Sequence, residues 1–229
     1  EGDPIQHWGE LGISEGQLMG PSGIAFDNEQ NLVVADHLNN RIQKFTKDGA
    51  FIMSFGNTGE DDLRMPWGVC VGQDNSVYVA DWANDRIAKY DASGSFVRGF
   101  GTSGSGDGEF KNPSGVAVDG EGYIYVTDWG NERLVILDED GNFIETLRGQ
   151  ATISKWADEY FEGNYEEAEP RSRSNLEPDA GQFGGDPHEE SAHIEKFFWG
   201  PTSVKIDDSG RIYVTESNRH RVQIYERTR

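Results

Sequence analysis

Four stretches of the chain alternate apolar and polar residues at every second position, the period of a strand with one buried face. They read "NLVVADHLNNRIQKFTKDGAFIMSFG", "SVYVADWANDRIAKYDASGSFVRGFG", "GYIYVTDWGNERLVILDEDGNFIETLRG" and "RIYVTESNRHRVQIYERTR". Each predicts strand, polar turn, strand, tight turn and strand, but the last stops one strand short. A shorter apolar run precedes each stretch and begins at a proline: "GPSGIAFD", "MPWGVCVG", "NPSGVAVD" and "GPTSVKID". Every unit thus predicts four strands, a to d, which in the first are 23–26, 32–35, 41–45 and 51–55. The connectors "DNEQN", "KDG", "ASG" and "EDG" carry the residues that turns require.

The leading prolines are Pro21, Pro66, Pro113 and Pro201, so the steps are 45, 47 and 88 residues and the period is interrupted once. Repeated four-stranded units of this length predict blades of a β-propeller, because one blade cannot cover both its faces and must stack on neighbours. The fold class is therefore all-β. Blades are expected near 20–56, 65–101, 112–149 and 200–227, with 150–199 as an insertion. The N-terminal "PIQHWG" aligns with the d strands "FIMSFG" and "FVRGFG", so residues 4–9 are expected to supply the missing strand of the last blade. That pairing would close a four-bladed ring and protect its edges. A monomer is expected accordingly.

The combined pattern "P-S-G-[IV]-A" and "V-[AT]-D-x-x-N-x-R-[IL]" resembles the NHL repeat, a β-propeller family, over 21–149 and 200–225. The fourth unit departs from it at Ser203, Glu216 and Arg219. Proteins similar to this family more often have six blades, so a fragment of a six-bladed ring is the alternative architecture.

Residues 150–199 lack the strand alternation. "SKWADEYF" places Trp156, Tyr160 and Phe161 at helical spacing behind a Ser154 cap, and 166–185 reads as a polar loop. As a d-to-a connector, the insertion shares a face of the ring with the b-to-c turns "DHLNN", "DWAND", "DWGNE" and "ESNRH". It holds 12 Asp or Glu against 4 Lys or Arg.

The formal net charge of −21 argues against nucleic acid and anionic membrane as partners and favours cationic ones. No run of 18 apolar residues exists, so no membrane-spanning helix is expected. The single cysteine, Cys70, excludes an internal disulfide and a cysteine zinc site. A soluble protein is expected, extracellular or periplasmic before cytoplasmic.

Two constellations could carry chemistry. Asp36, Asp81, Asp128 and Glu216 each precede an arginine by five residues: Arg41, Arg86, Arg133 and Arg221. An acid ending strand b and an arginine opening strand c flank one turn, so a charge-assisted hydrogen bond bracing that turn is the structural reading. Asn39, Asn84 and Asn131 are expected to take left-handed turn geometry. The rival is a calcium-like cation held by the four acids, since hard cations want convergent oxygens; otherwise no cofactor is expected. The second constellation is His37, Trp82, Trp129 and Ser217, which follow the acids, with Trp67 nearby. Such rings suit a protein, a peptide or a small cationic or sugar-like ligand. A non-catalytic binding or scaffold propeller is the leading expectation, and a metal-dependent lactonase- or lyase-like enzyme is the alternative. Propeller lyases similar to the family use clustered histidines, of which only His37 is suitably placed.

Overall fold

Within each unit the connectors are too short for anything but a return alongside the preceding strand, so each unit becomes one antiparallel sheet. The computed structural model describes residues 5–57, 59, 62–151, 153 and 155–227, without the side chains of 155 and 156. Its first sheet runs β1 (Pro21–Phe26), β2 (Leu32–Asp36), β3 (Arg41–Phe45) and β4 (Phe51–Phe55) in spatial order. The second repeats this with β5 (Pro66–Val71), β6 (Val77–Asp81), β7 (Arg86–Tyr90) and β8 (Phe96–Phe100). A two-strand connector ladder follows, β9 (Thr102–Ser103) with β10 (Glu109–Phe110). The third sheet is β11 (Pro113–Val118), β12 (Ile124–Asp128), β13 (Arg133–Leu137) and β14 (Phe143–Leu147). The fourth has three strands, β15 (Pro201–Ile206), β16 (Arg211–Glu216) and β17 (Arg221–Glu226). This is a β-propeller architecture, with the a strands β1, β5, β11 and β15 packed in series along the axis.

Face-to-face stacking makes the core, and three apolar clusters fill the three junctions. Val33, Ala35 and Ile42 of the first blade meet Val69, Val79 and Tyr90 of the second. Ala80 and Ile87 meet Val116, Val126 and Leu137 at the next junction, and Leu134 and Ile136 meet Val204 and Val214 at the last. Each junction also receives one connector side chain from three residues before the proline: Leu63, Phe110 and Phe198, all fully buried. Close approach at the axis explains the recurrent glycine. A Cβ on Gly23 would lie 2.5 Å from the Trp67 carbonyl oxygen, and one on Gly68 would lie 2.7 Å from that of Ser114.

The expected ring closure does not form. β17 is the edge of a three-stranded sheet, and residues 5–9 lie instead against the first blade. There Gln6 Nε2 donates to the Asp48 carbonyl and the Trp8 ring tilts over Phe45 at 4.7 Å. The alignment with strand d is nevertheless reproduced: Trp8 covers Gly49 as Phe55 covers Gly94 and Phe100 covers Gly141. The reason for the failure is geometric. A d strand seated on the first blade belongs to the sheet preceding it, and the fourth blade lies three junctions away along the series.

The helix expected from the spacing of Trp156, Tyr160 and Phe161 is present as α1 (Lys155–Gly163), but the start of the expected polar loop 166–185 is helical too, in α2 (Tyr165–Arg173), and α3 (Pro187–His193) follows it. Glu166 and Glu167 in the first turn of α2 and Arg171 and Arg173 in its last turn complement the helix dipole. Arg171 also forks onto both carboxylate oxygens of Glu195 at 2.8 Å. The expected Ser154 cap lies outside the described residues. Ile194 and Phe198 are buried at the return to β15.

Candidate functional site

The b-to-c turns and d-to-a connectors share one face, and an acid–arginine pair binds them together in each blade. Asp36, Asp81 and Asp128 end their b strands fully buried, and Glu216 is nearly so. The Nε of Arg41, Arg86, Arg133 and Arg221 donates to its own acid at 2.8, 2.7, 2.8 and 2.6 Å. The remaining guanidinium N–H groups reach back over the connector. Arg41 donates to the carbonyls of Ile13, Ser14 and Gln17, and Arg133 to those of Ser105, Gly106 and Glu109. Arg221 does the same at Glu195 and Phe197, so the insertion rejoins the common geometry before β15.

The other carboxylate oxygen is equally committed. It accepts a connector amide in every blade: Met19, Arg64, Lys111 and Trp199. Asn39, Asn84 and Asn131 add an Nδ2–H to the arginine-bound oxygen at 2.8, 2.8 and 2.7 Å. The left-handed residue is therefore not that asparagine but the next position: Asn40, Asp85, Glu132 and His220. The asparagine has to stay helical to point its amide back at the acid. Burial pushes the Asp128 carboxyl up, and its donors, the Lys111 amide, Asn131 and Arg133, oppose that shift.

The left-handed residues carry a function that the sequence pattern does not announce. Asn40 Oδ1 accepts the Met65 N–H, Asp85 Oδ1 the Asn112 N–H, and Glu132 Oε2 the Gly200 N–H. Each therefore latches its blade to the first residues of the next. Glu132 is buried, which pushes its carboxyl up, and it accepts a second bond from His188 Nδ1 in α3 at 2.8 Å. Arg219, where the other blades have asparagine, donates to the carbonyls of Ser191 and Ile194 and lies over the Trp199 ring. Leu63, Phe110 and Phe198 were not anticipated, although an apolar residue three before each proline is the signal that marks them. The Glu132–His188 link had no such signal, because its partners are 56 residues apart.

The aromatic constellation is only partly brought together. His37 is buried, with Nδ1 3.2 Å from the Pro66 carbonyl, and meets Trp67 edge-on at 4.9 Å. Trp67 and Trp129 are exposed at 42% and 37%, while Trp82 is half-buried. Trp82 and Trp129 make no ring contact with each other among the described residues, so they form no shared floor. Ser217 Oγ is turned onto the Gly200 carbonyl at 3.2 Å. Between the a strands, a cavity of about 260 Å³ is lined by Ser22, Trp67, Ser114, Thr202 and Lys205 among others.

Comparison with known proteins places this architecture. The pattern described as NHL repeat matches residues 18–45, 63–90, 110–137 and 198–225. The chain is 43% identical over 58 residues to protein brain tumor of Drosophila melanogaster, a match covering 25% of this chain and 6% of that protein. It is 50% identical over 44 residues to B-box type zinc finger protein ncl-1 of Caenorhabditis elegans, covering 19% and 5%. Among solved structures, a chain of the nidogen/laminin complex superposes with a TM-score of 0.59 at 16% identity, covering 90% of this chain and 60% of that one. A streptogramin B lyase gives 0.52 at 14% identity, covering 94% and 56%. The chain thus matches a small part of the curated relatives and somewhat over half of these solved chains. At such identities the structural likeness shows the fold alone. Four matched repeats, each built on the same acid–arginine pair, make this chain a member of the NHL-repeat family of β-propellers.

Proposed function

We propose that this propeller is a non-catalytic binding module whose ligand is a protein or peptide segment carrying positive charge, taken on the face that bears the b-to-c turns and the insertion. One contrast carries the reading: the four buried acids spend their oxygens on arginine, asparagine or glutamine and connector amides, while Trp67 and Trp129 remain exposed on the same face. Rings held on a stiff scaffold cost little ordering entropy on binding, and their faces attract Lys and Arg. The formal charge of −21 and the 12 acids of the insertion supply the long-range attraction. The nidogen/laminin superposition is compatible with a propeller of this shape engaging another protein. The acids would serve a cation only by releasing their arginines, which would leave buried guanidinium groups unpaired.

Peptides selected from a random display library against the wild-type chain provide the test. Affinity should weaken by about tenfold or more in the Trp67→Ala/Trp129→Ala variant, equivalent to about 1.4 kcal/mol. It should also fall with added salt. Selected peptides that bind the double variant as tightly as the wild type would overturn the proposal.

A further inference from the structure

The backbone of the b-to-c turn is the same in all four blades: the N–H groups of Leu38, Ala83, Gly130 and Asn218 donate to the carbonyls of Met19, Arg64, Lys111 and Trp199. The side chains on it are not. At the junction of the first and second blades stand His37, where two other blades have tryptophan, and Leu38, where the others have alanine, glycine and asparagine. Across that junction stands Trp67, where the others have Ser22, Ser114 and Thr202. These departures coincide in space, since His37 and Trp67 are in ring contact and Leu38 adjoins His37 with its side chain exposed. The fold does not require them. Ser22 Oγ donates across its junction to the Trp67 carbonyl and Ser114 Oγ across its own to that of Pro201, each at 2.8 Å. Trp67 has no hydroxyl to give the third blade, so an interior junction forgoes a hydrogen bond and gains an exposed ring.

His37 is prepared to accept. A carbonyl oxygen only accepts, so His37 Nδ1, 3.2 Å from that of Pro66, carries the ring proton. That bond fixes the neutral imidazole in one tautomer and leaves a bare lone pair on Nε2. No described residue bonds to Nε2, and it is not among the unpaired polar atoms sealed from solvent, so it opens to the surface. The residue as a whole is only 8% exposed, which holds the ring in place. The corner therefore offers a fixed acceptor beside an indole set at 85° to it.

We propose that the His37–Trp67 corner is an arginine pocket: it takes one arginine side chain of the ligand, with the guanidinium flat on Trp67 and one N–H donated to His37 Nε2. This deepens the reading of the face as a site for a positively charged peptide, and rests on it. Arginine fits where lysine does not. A guanidinium keeps its N–H groups at its edge while its plane stacks on an aromatic face, so it meets both rings together. An ammonium is a compact, strongly hydrated charge and satisfies one ring at a time. Leu38 gives the stem of the side chain an apolar rest. The pocket itself is uncharged, and the net charge of −21 draws the cation to it from a distance.

The probes are acetyl-Gly-Arg-Gly-amide and its lysine and citrulline counterparts, titrated at mildly alkaline pH while the Trp67 indole N–H resonance is followed by NMR. That resonance is assigned by its absence from Trp67→Ser. The arginine probe should bind at least about fivefold more tightly than either counterpart. His37→Asn keeps a donor for the Pro66 carbonyl but has no Nε2, and should reduce the preference for arginine over lysine to less than about twofold. Trp67→Ser installs the residue of the first and third blades, so it should end binding while the melting temperature holds or rises. Equal affinity for the arginine and lysine probes, or an arginine preference that survives His37→Asn, would overturn the proposal. So would a Trp67→Ser variant that melts several degrees lower, because the ring would then be a packing residue. Selected peptides that weaken in the Trp67→Ala/Trp129→Ala variant yet share no arginine would keep the binding face and remove this pocket. An arginine probe that binds here as described, with no peptide selected, would keep the pocket and remove the peptide reading.

Discussion

Arg133 donates its Nε–H to Asp128 at 2.8 Å while its terminal nitrogens hold the carbonyls of Ser105, Gly106 and Glu109. One side chain therefore joins two strand ends to the connector that crosses them. Replacing Arg133 with Met strands a fully buried carboxylate and frees three carbonyls. The expected loss is about 3–5 kcal/mol, the range for breaking a buried pair from one side. Urea unfolding measures it. A loss under about 1 kcal/mol would mean that water reaches Asp128 and that the clasp is ornamental.

Gly68 and Ser203 hold equivalent places on inner strands with opposite surroundings. A Cβ on Gly68 meets the Ser114 carbonyl oxygen at 2.7 Å, and that backbone cannot yield without moving the third blade. Gly68→Ala should cost about 1–3 kcal/mol as overpacking. Ser203→Gly should shift stability by less than about 1 kcal/mol, mainly through the unfolded chain. Comparable losses at both sites would show that close approach at the axis is not what selects glycine.

Strand order, blade boundaries and the pairing of acid with arginine were legible because each depends on contacts within one repeat, and a repeat prints the same contacts several times. The d-strand phase of residues 5–9 was also legible, since Trp8 does seat on Gly49. Which sheet that strand joins was not, because alignment fixes a strand's place in a blade and not the blade's neighbour in space. α2 escaped notice since its surface is polar all round and its support comes from charges at its ends and from Glu195, features that hydrophobic periodicity does not register. Nor could alternation separate Asn39 from Asn40: both residues suit a left-handed turn, and only the reach of the Asn39 amide to Asp36 decides between them.

Arg219 replaces the asparagine of the other blades and holds the carbonyls of Ser191 and Ile194. Burial pushes its guanidinium down from the usual range, with Arg221 acting in the same direction. Arg219→Asn should restore the repeat's short link to Glu216 and release α3. The ring should unfold within about 1 kcal/mol of the wild type, while proteolysis within 174–186 accelerates. Unchanged cleavage would assign the insertion's anchoring to Phe198 and the Glu132–His188 link instead.

Asp207 shows how the turns on the opposite face depend on pH. Its Oδ1 accepts the amides of Ser209 and Arg211, and its Oδ2 accepts Arg211 Nε and the Tyr213 hydroxyl at 2.7 and 2.9 Å. These bonds, led by the Arg211 amide, outweigh burial and lower the carboxyl from 3.8 to about 2. A depressed acid stabilises the fold above its unfolded value, and that contribution disappears as pH falls through the folded one. The stabilisation from Asp207 is thus complete at neutral pH and lost between about pH 4 and pH 2. Asp27, Asp91 and Asp138 shift in the same direction, so the wild type should lose stability steeply in that window. Asp207→Asn keeps an acceptor for the two amides but carries no charge to lose. Its deficit against the wild type in urea midpoint should be greatest at neutral pH and shrink as pH falls below 4. A deficit that stays constant from neutral pH to pH 3 would show that the turn depends on the shape of the side chain and not on its charge.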